Sequence, residues 1–68
     1  MQAKLQMIGN GGYIHSLSVK DRSTSNIIDA IVKLRPALKG CTVSKDANDK
    51  TIYVVTKDGI QKAYFWFI

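Results

Sequence analysis

The chain has 68 residues, 46% of them hydrophobic, and sets ten Lys and Arg against five Asp, for a net charge of +5 at neutral pH. That length suits one domain, residues 1–68, with a thin stability margin because so short a chain buries only about 60% of its unfolded surface; the apolar content excludes a disordered chain. No apolar run approaches the ~20 residues of a membrane span, the N-terminus does not read as a secretory signal, and one cysteine excludes an internal disulfide.

Residues 3–8, AKLQMI, read as a strand, and GNGG at 9–12 as a turn. Residues 13–19, YIHSLSV, return. A turn at Asn10-Gly11 pairs Ile8 with Tyr13, Gln6 with His15 and Lys4 with Leu17, leaving Leu5, Met7 and Ile14 on the other face. Both faces are then partly apolar. Ser23, Thr24, Ser25 and Asn26 are all helix-capping types. A helix is expected from about Asn26 to Leu34 or Leu38, with Asp29 in its first turn and Ile27, Ile31, Leu34 and Leu38 as its apolar stripe. Ile28 and Val32 widen that stripe. Pro36 ends or kinks the helix, because it has no N–H to bond residue 32.

Residues 41–45 read as a third strand, 50–57 as a fourth and 60–68 as a fifth, with Asp58-Gly59 closing a tight hairpin between the last two. The order is ββαβββ. The expected fold class is α+β, a small antiparallel sheet of about five strands with one helix packed on one face.

The chain closes on Tyr64, Phe65, Trp66, Phe67 and Ile68, which hold four of its six aromatic residues. A two-residue turn at Asp58-Gly59 sets the expected pairing of the last hairpin: Val55 opposite Lys62, Val54 opposite Ala63, Tyr53 opposite Tyr64, Ile52 opposite Phe65. One face then carries Ile52, Val54, Ala63, Phe65 and Phe67 and receives the helix. The other carries Tyr53, Val55, Lys57, Ile60, Lys62, Tyr64 and Trp66. One helix covers one face only. The second is either open or closed by the first hairpin, with Leu17 and Val19, or Leu5 and Met7, as its lid. An open aromatic patch on a small monomer marks a working surface.

Catalytic or metal chemistry finds no support. His15 is the only histidine and Cys41 the only thiol. Asp46 and Asp49 lie in a turn, where Asp bonds its own backbone. The segment from Asp46 puts Lys50, Thr51 and Lys57 where a calcium loop needs an acid, a glycine and a closing glutamate. GNGG precedes a strand, not a helix, and is no nucleotide loop.

The expectation is a complete, small, basic, non-enzymatic binding module of the cytoplasm, with no metal and no small-molecule cofactor. Its site is Tyr53, Lys57, Lys62, Tyr64 and Trp66. Aromatics that stack bases beside lysines that follow phosphates favour nucleic acid, single-stranded more than duplex, since the one helix is committed to the sheet. The alternative partner is a larger protein, for an inhibitor or adaptor of the kind that phages and mobile elements encode. A homodimer through the same patch is one form of it, because Tyr and Trp are enriched at binding hot spots.

Overall fold

The computed structural model describes the backbone of residues 1–68 and every side chain except that of Asn10. Its elements are strands β1 (Gln2–Met7) and β2 (Ile14–Ser18), helix α1 (Thr24–Leu34), and strands β3 (Thr42–Lys45), β4 (Ile52–Lys57) and β5 (Ile60–Phe67). The five strands form one antiparallel sheet in the order β2-β1-β5-β4-β3, so the fold is the α+β arrangement expected from the strand and helix pattern. The C-terminal strand is the middle one. The two hairpins that the sequence separates by a helix are joined edge to edge through β1 and β5.

The helix starts where the capping residues allow. Ser23 is the N-cap, and its Oγ accepts from the Asn26 backbone N–H at 3.4 Å. Asp21 Oδ1 braces the same turn, accepting from the Ser23 N–H at 2.8 Å and from Asn26 Nδ2 at 2.9 Å. The start is two residues earlier than Asn26, which leaves Asp29 beyond the first turn. At the other end Arg35 leaves helical geometry, and Pro36 opens a 3₁₀ turn, Pro36–Leu38, that drops Leu38 into the core. Ile27 and Ile31 are fully buried, and Ile28, Val32 and Leu34 pack around them.

The helix lies on the face formed by Ala3, Leu5 and Met7 of β1, Val55 of β4, and Ala63 and Phe65 of β5, with Leu17, Val43, Tyr53 and Phe67 at its margin. Burying each of Leu5, Ile27, Ile31, Val55 and Phe65 contributes about 1.5–3 kcal/mol, and together they form the single core.

Two registers differ from expectation by one residue. In the first hairpin Gln6 faces Ile14, Leu5 faces His15, and Ala3 faces Leu17. The connection holds one residue more than a GNGG loop, because Met7 N–H already donates to Tyr13 O at 3.2 Å. Gly9, Gly11 and Gly12 all take positive φ there, which L residues adopt only with strain. In the last hairpin the turn is as expected, with Lys57 opposite Ile60 and Thr56 opposite Gln61. A β-bulge then intervenes, and Val55 faces Ala63 instead of Lys62. A bulge inserts one residue on one strand only, so every β4 side chain beyond it exchanges faces relative to β5.

Candidate functional site

The bulge divides the five residues singled out from the sequence. On β5 the expected alternation holds: Ala63, Phe65 and Phe67 meet the helix side, while Tyr64 and Trp66 lie on the uncovered face. On β4 it is reversed. Tyr53 pairs with Phe65 and points to the helix side, where its ring meets Phe65 at 5.9 Å and Phe67 at 6.2 Å, both edge to face. Val55 goes with it and is fully buried. Ile52 and Val54, expected under the helix, stand on the other face opposite Trp66 and Tyr64, where Val54 is nonetheless buried. Tyr53 is therefore packing, not part of the aromatic patch.

The first hairpin does not cover that patch. It extends the sheet sideways, with Leu5, Met7, Leu17 and Val19 all turned to the core and none available as a lid. The residues it adds to the open face are polar apart from Ile14, which pairs with Gln6 and is exposed. Gln2 Nε2 donates to Ser18 Oγ at 3.2 Å, Lys4 Nζ to Ser16 Oγ at 2.7 Å, and Gln6 Nε2 to Gly12 O at 3.3 Å. In register, Lys4 lies beside Trp66 and Gln6 beside Tyr64. The pattern QAKLQM carries this signal, since it alternates polar and apolar residues without a break. A hairpin register shifted by one residue hides it, because it sets Gln6 opposite His15 and Lys4 opposite Leu17.

The open face thus has an aromatic centre on β5, Tyr64 and Trp66, half-buried and about 7 Å apart along the strand. A polar flank on β1 and β2 lies to one side and an aliphatic flank on β4 to the other. A cleft of about 540 Å³ opens beside Trp66, lined by Gln6, Ile52, Tyr64 and Trp66 and walled by Asp46 and Asn48 of the β3–β4 turn. That turn is tied by its own side chains. Asp46 Oδ2 accepts from the N–H groups of Asn48 and Asp49, and Asp49 Oδ1 accepts from Thr51 N–H at 3.0 Å and Thr51 Oγ1 at 2.6 Å. The hydroxyl bond, with the backbone bond beside it, holds the Asp49 carboxyl below its ordinary value. Both acids are accounted for as turn formers.

Lys57 and Lys62 come together, but away from the aromatics. Lys57 alternates to the helix side and its Nζ donates to Ala37 O at 2.8 Å. Lys62 sits in the bulge, and both line a second cleft with Arg35 at the end of the sheet.

His15 stacks at a tilt on Tyr13, with ring centroids 4.6 Å apart. Cys41 is buried, and desolvation pushes its thiol above the usual value. Among the described residues no three His, Cys, Asp or Glu gather as metal ligands, and no helix is long and apolar enough to cross a membrane. Comparison with protein-family models, with curated proteins and with solved structures finds no match to this chain.

Proposed function

We propose that the protein is a non-enzymatic module of the cytoplasm that binds single-stranded nucleic acid on the open face of its sheet. The observation that carries this reading is the placement of Tyr64 and Trp66 two residues apart on the middle strand, on the face the helix does not cover. Each ring offers its own base a stacking surface, worth about 1–3 kcal/mol per base. Polar side chains of β1 and β2 border the rings, and the +5 net charge attracts a polyanion.

A second reading is supported by the cleft beside Trp66. Its lining holds no cation and includes the apolar side chains of Ile52 and Phe67. That composition suits an apolar protein surface, as an inhibitor or adaptor would use, or a second copy in a homodimer.

Trp66 is the only tryptophan, so its emission reports the site directly. In a titration with a thymidine decamer, the nucleic-acid reading expects quenching that weakens as salt rises and is reduced in Tyr64→Ala, which keeps the Trp66 reporter. Emission indifferent to single-stranded and duplex oligonucleotides at low salt would remove nucleic acid and leave the protein partner.

A further inference from the structure

Three cations converge at the end of the sheet opposite the β3–β4 turn. Arg35 comes from the C-terminal cap of α1, Lys57 from the last position of β4, and Lys62 from the bulge of β5. All three are half-buried and line one cleft of about 370 Å³ with Met7, Ile8, Ala37 and Leu38. Asp58 is the only acid in the lining, so the cleft carries an excess of two positive charges.

Folding explains two of the three. Arg35 suits the negative end of the helix dipole, and Lys57 is anchored to the Ala37 carbonyl. Lys62 has no such role. The bulge aims it at the other two, where like charges above an apolar floor repel. Among the described residues none of the three has a carboxylate within ion-pair distance. An anion relieves that repulsion. The anchored ammonium of Lys57 keeps two donors free, and the guanidinium of Arg35 presents a planar fork that matches phosphate oxygens.

We propose that this cleft is a phosphate-binding site that anchors the backbone of the strand whose bases stack on Tyr64 and Trp66. The nucleic-acid part of this proposal rests on the function proposed above. Lys62 lies two residues from Tyr64 and four from Trp66 on the same strand, about 7 and 13 Å along it. The cleft lies at the end of the sheet with Arg35 and Lys57 on the helix side, so a single strand stacked along β5 passes round the β4–β5 end of the sheet to bring a phosphate to it.

Two measurements test it. In the first, thymidine decamer is titrated against Trp66 emission at about 50 and about 200 mM NaCl for wild type, Arg35→Gln, Lys57→Met and Lys62→Met. Lys33→Gln, which removes an exposed charge of α1 outside the cleft, is the control. Each cleft variant should lower the magnitude of the log–log salt slope by about 0.7, which is about 2.6-fold in the salt effect over that range, and the control should leave it unchanged. In the second, inorganic pyrophosphate is added to isotope-labelled wild-type protein. Amide shifts are expected at Arg35, Ala37, Leu38 and 57–62 and not at Tyr64 or Trp66, a readout that stands even if a variant fails to fold. Decamer binding with slopes equal in all variants, or pyrophosphate shifts absent from the cleft, would overturn the phosphate site while leaving the stacking face intact. Pyrophosphate at the cleft with no binding of any oligonucleotide would keep a polyanion site and remove the single-strand reading.

Discussion

Tyr53 and Tyr64 are the same residue type in neighbouring strands, and the sheet gives them opposite tasks. Tyr53 packs edge to face on Phe65 and Phe67 under the helix, whereas Tyr64 stands on the uncovered face beside Gln6. Tyr53→Ala should lower unfolding free energy by about 3 kcal/mol, as expected for a large ring lost from a packed cluster. Tyr64→Ala should change stability by no more than about 1 kcal/mol and weaken oligonucleotide binding by about 1–3 kcal/mol. Urea unfolding followed by Trp66 emission, alongside the decamer titration, separates the two. If Tyr64→Ala is the variant that unfolds, the outer face is load for the fold and not a binding surface. Sequence alone treats the two tyrosines alike, since both lie in alternating, strongly β-forming segments and nothing local to either residue marks a bulge between them.

At the scale of the element, the entry to α1 is a small closed system of polar bonds. Asp21 accepts from the side chain of Asn26 and from Ser23, and these bonds hold its carboxyl down at about 2, from an ordinary 3.8. A carboxyl depressed in the folded state contributes stability that is present above pH 3.8 and lost as pH falls toward about 2. Acid titration of helical circular dichroism should therefore show α1 weakening in that window. Asp21→Asn, which keeps the oxygen acceptor without a titrating proton, should flatten the response there; an unchanged acid profile would mean that Asp21 does not set it. The cluster was legible in DRSTSN as a set of capping types, but which one caps was not. Four consecutive residues all accept the role, and the choice of Ser23 depends on Asp21 reaching both Ser23 and Asn26.

At the scale of the molecule, ten cations are distributed over a small body whose largest extent is 28 Å. Several ring the helix side: Lys33 on α1, Arg35 at its cap, Arg22 over the Phe67 ring at 4.5 Å, and Lys57 against Ala37. The open face keeps Lys4, tied to Ser16. Two opposite salt responses follow. Screening relieves repulsion among like charges separated by about a Debye length, about 10 Å at 0.1 M, so the melting temperature should rise modestly with NaCl. The same salt displaces a bound polyanion, so oligonucleotide affinity should fall. Melting curves and decamer titrations over one salt series check both, and a melting temperature that falls with salt would mean the charges are paired in solution.

Local signals in the sequence are enough for the ββαβββ order, the single helix with its Ile27 and Ile31 stripe, the stop at Pro36, the Asp58-Gly59 turn, and the division of β5 into Phe65 and Phe67 inside against Tyr64 and Trp66 outside. These depend on local periodicity, capping and turn geometry, which act over a few residues. The tertiary structure alone decided that β1 joins β5 instead of closing over it. It also decided that Tyr53 and Val55 change places with Ile52 and Val54, and that Lys57 and Lys62 meet Arg35 instead of Tyr64. A strand has period two, so one unpaired residue in a bulge reverses a whole face. Whether that residue is present is settled by which side chains the helix and the neighbouring strand can bury, not by any residue in the hairpin itself.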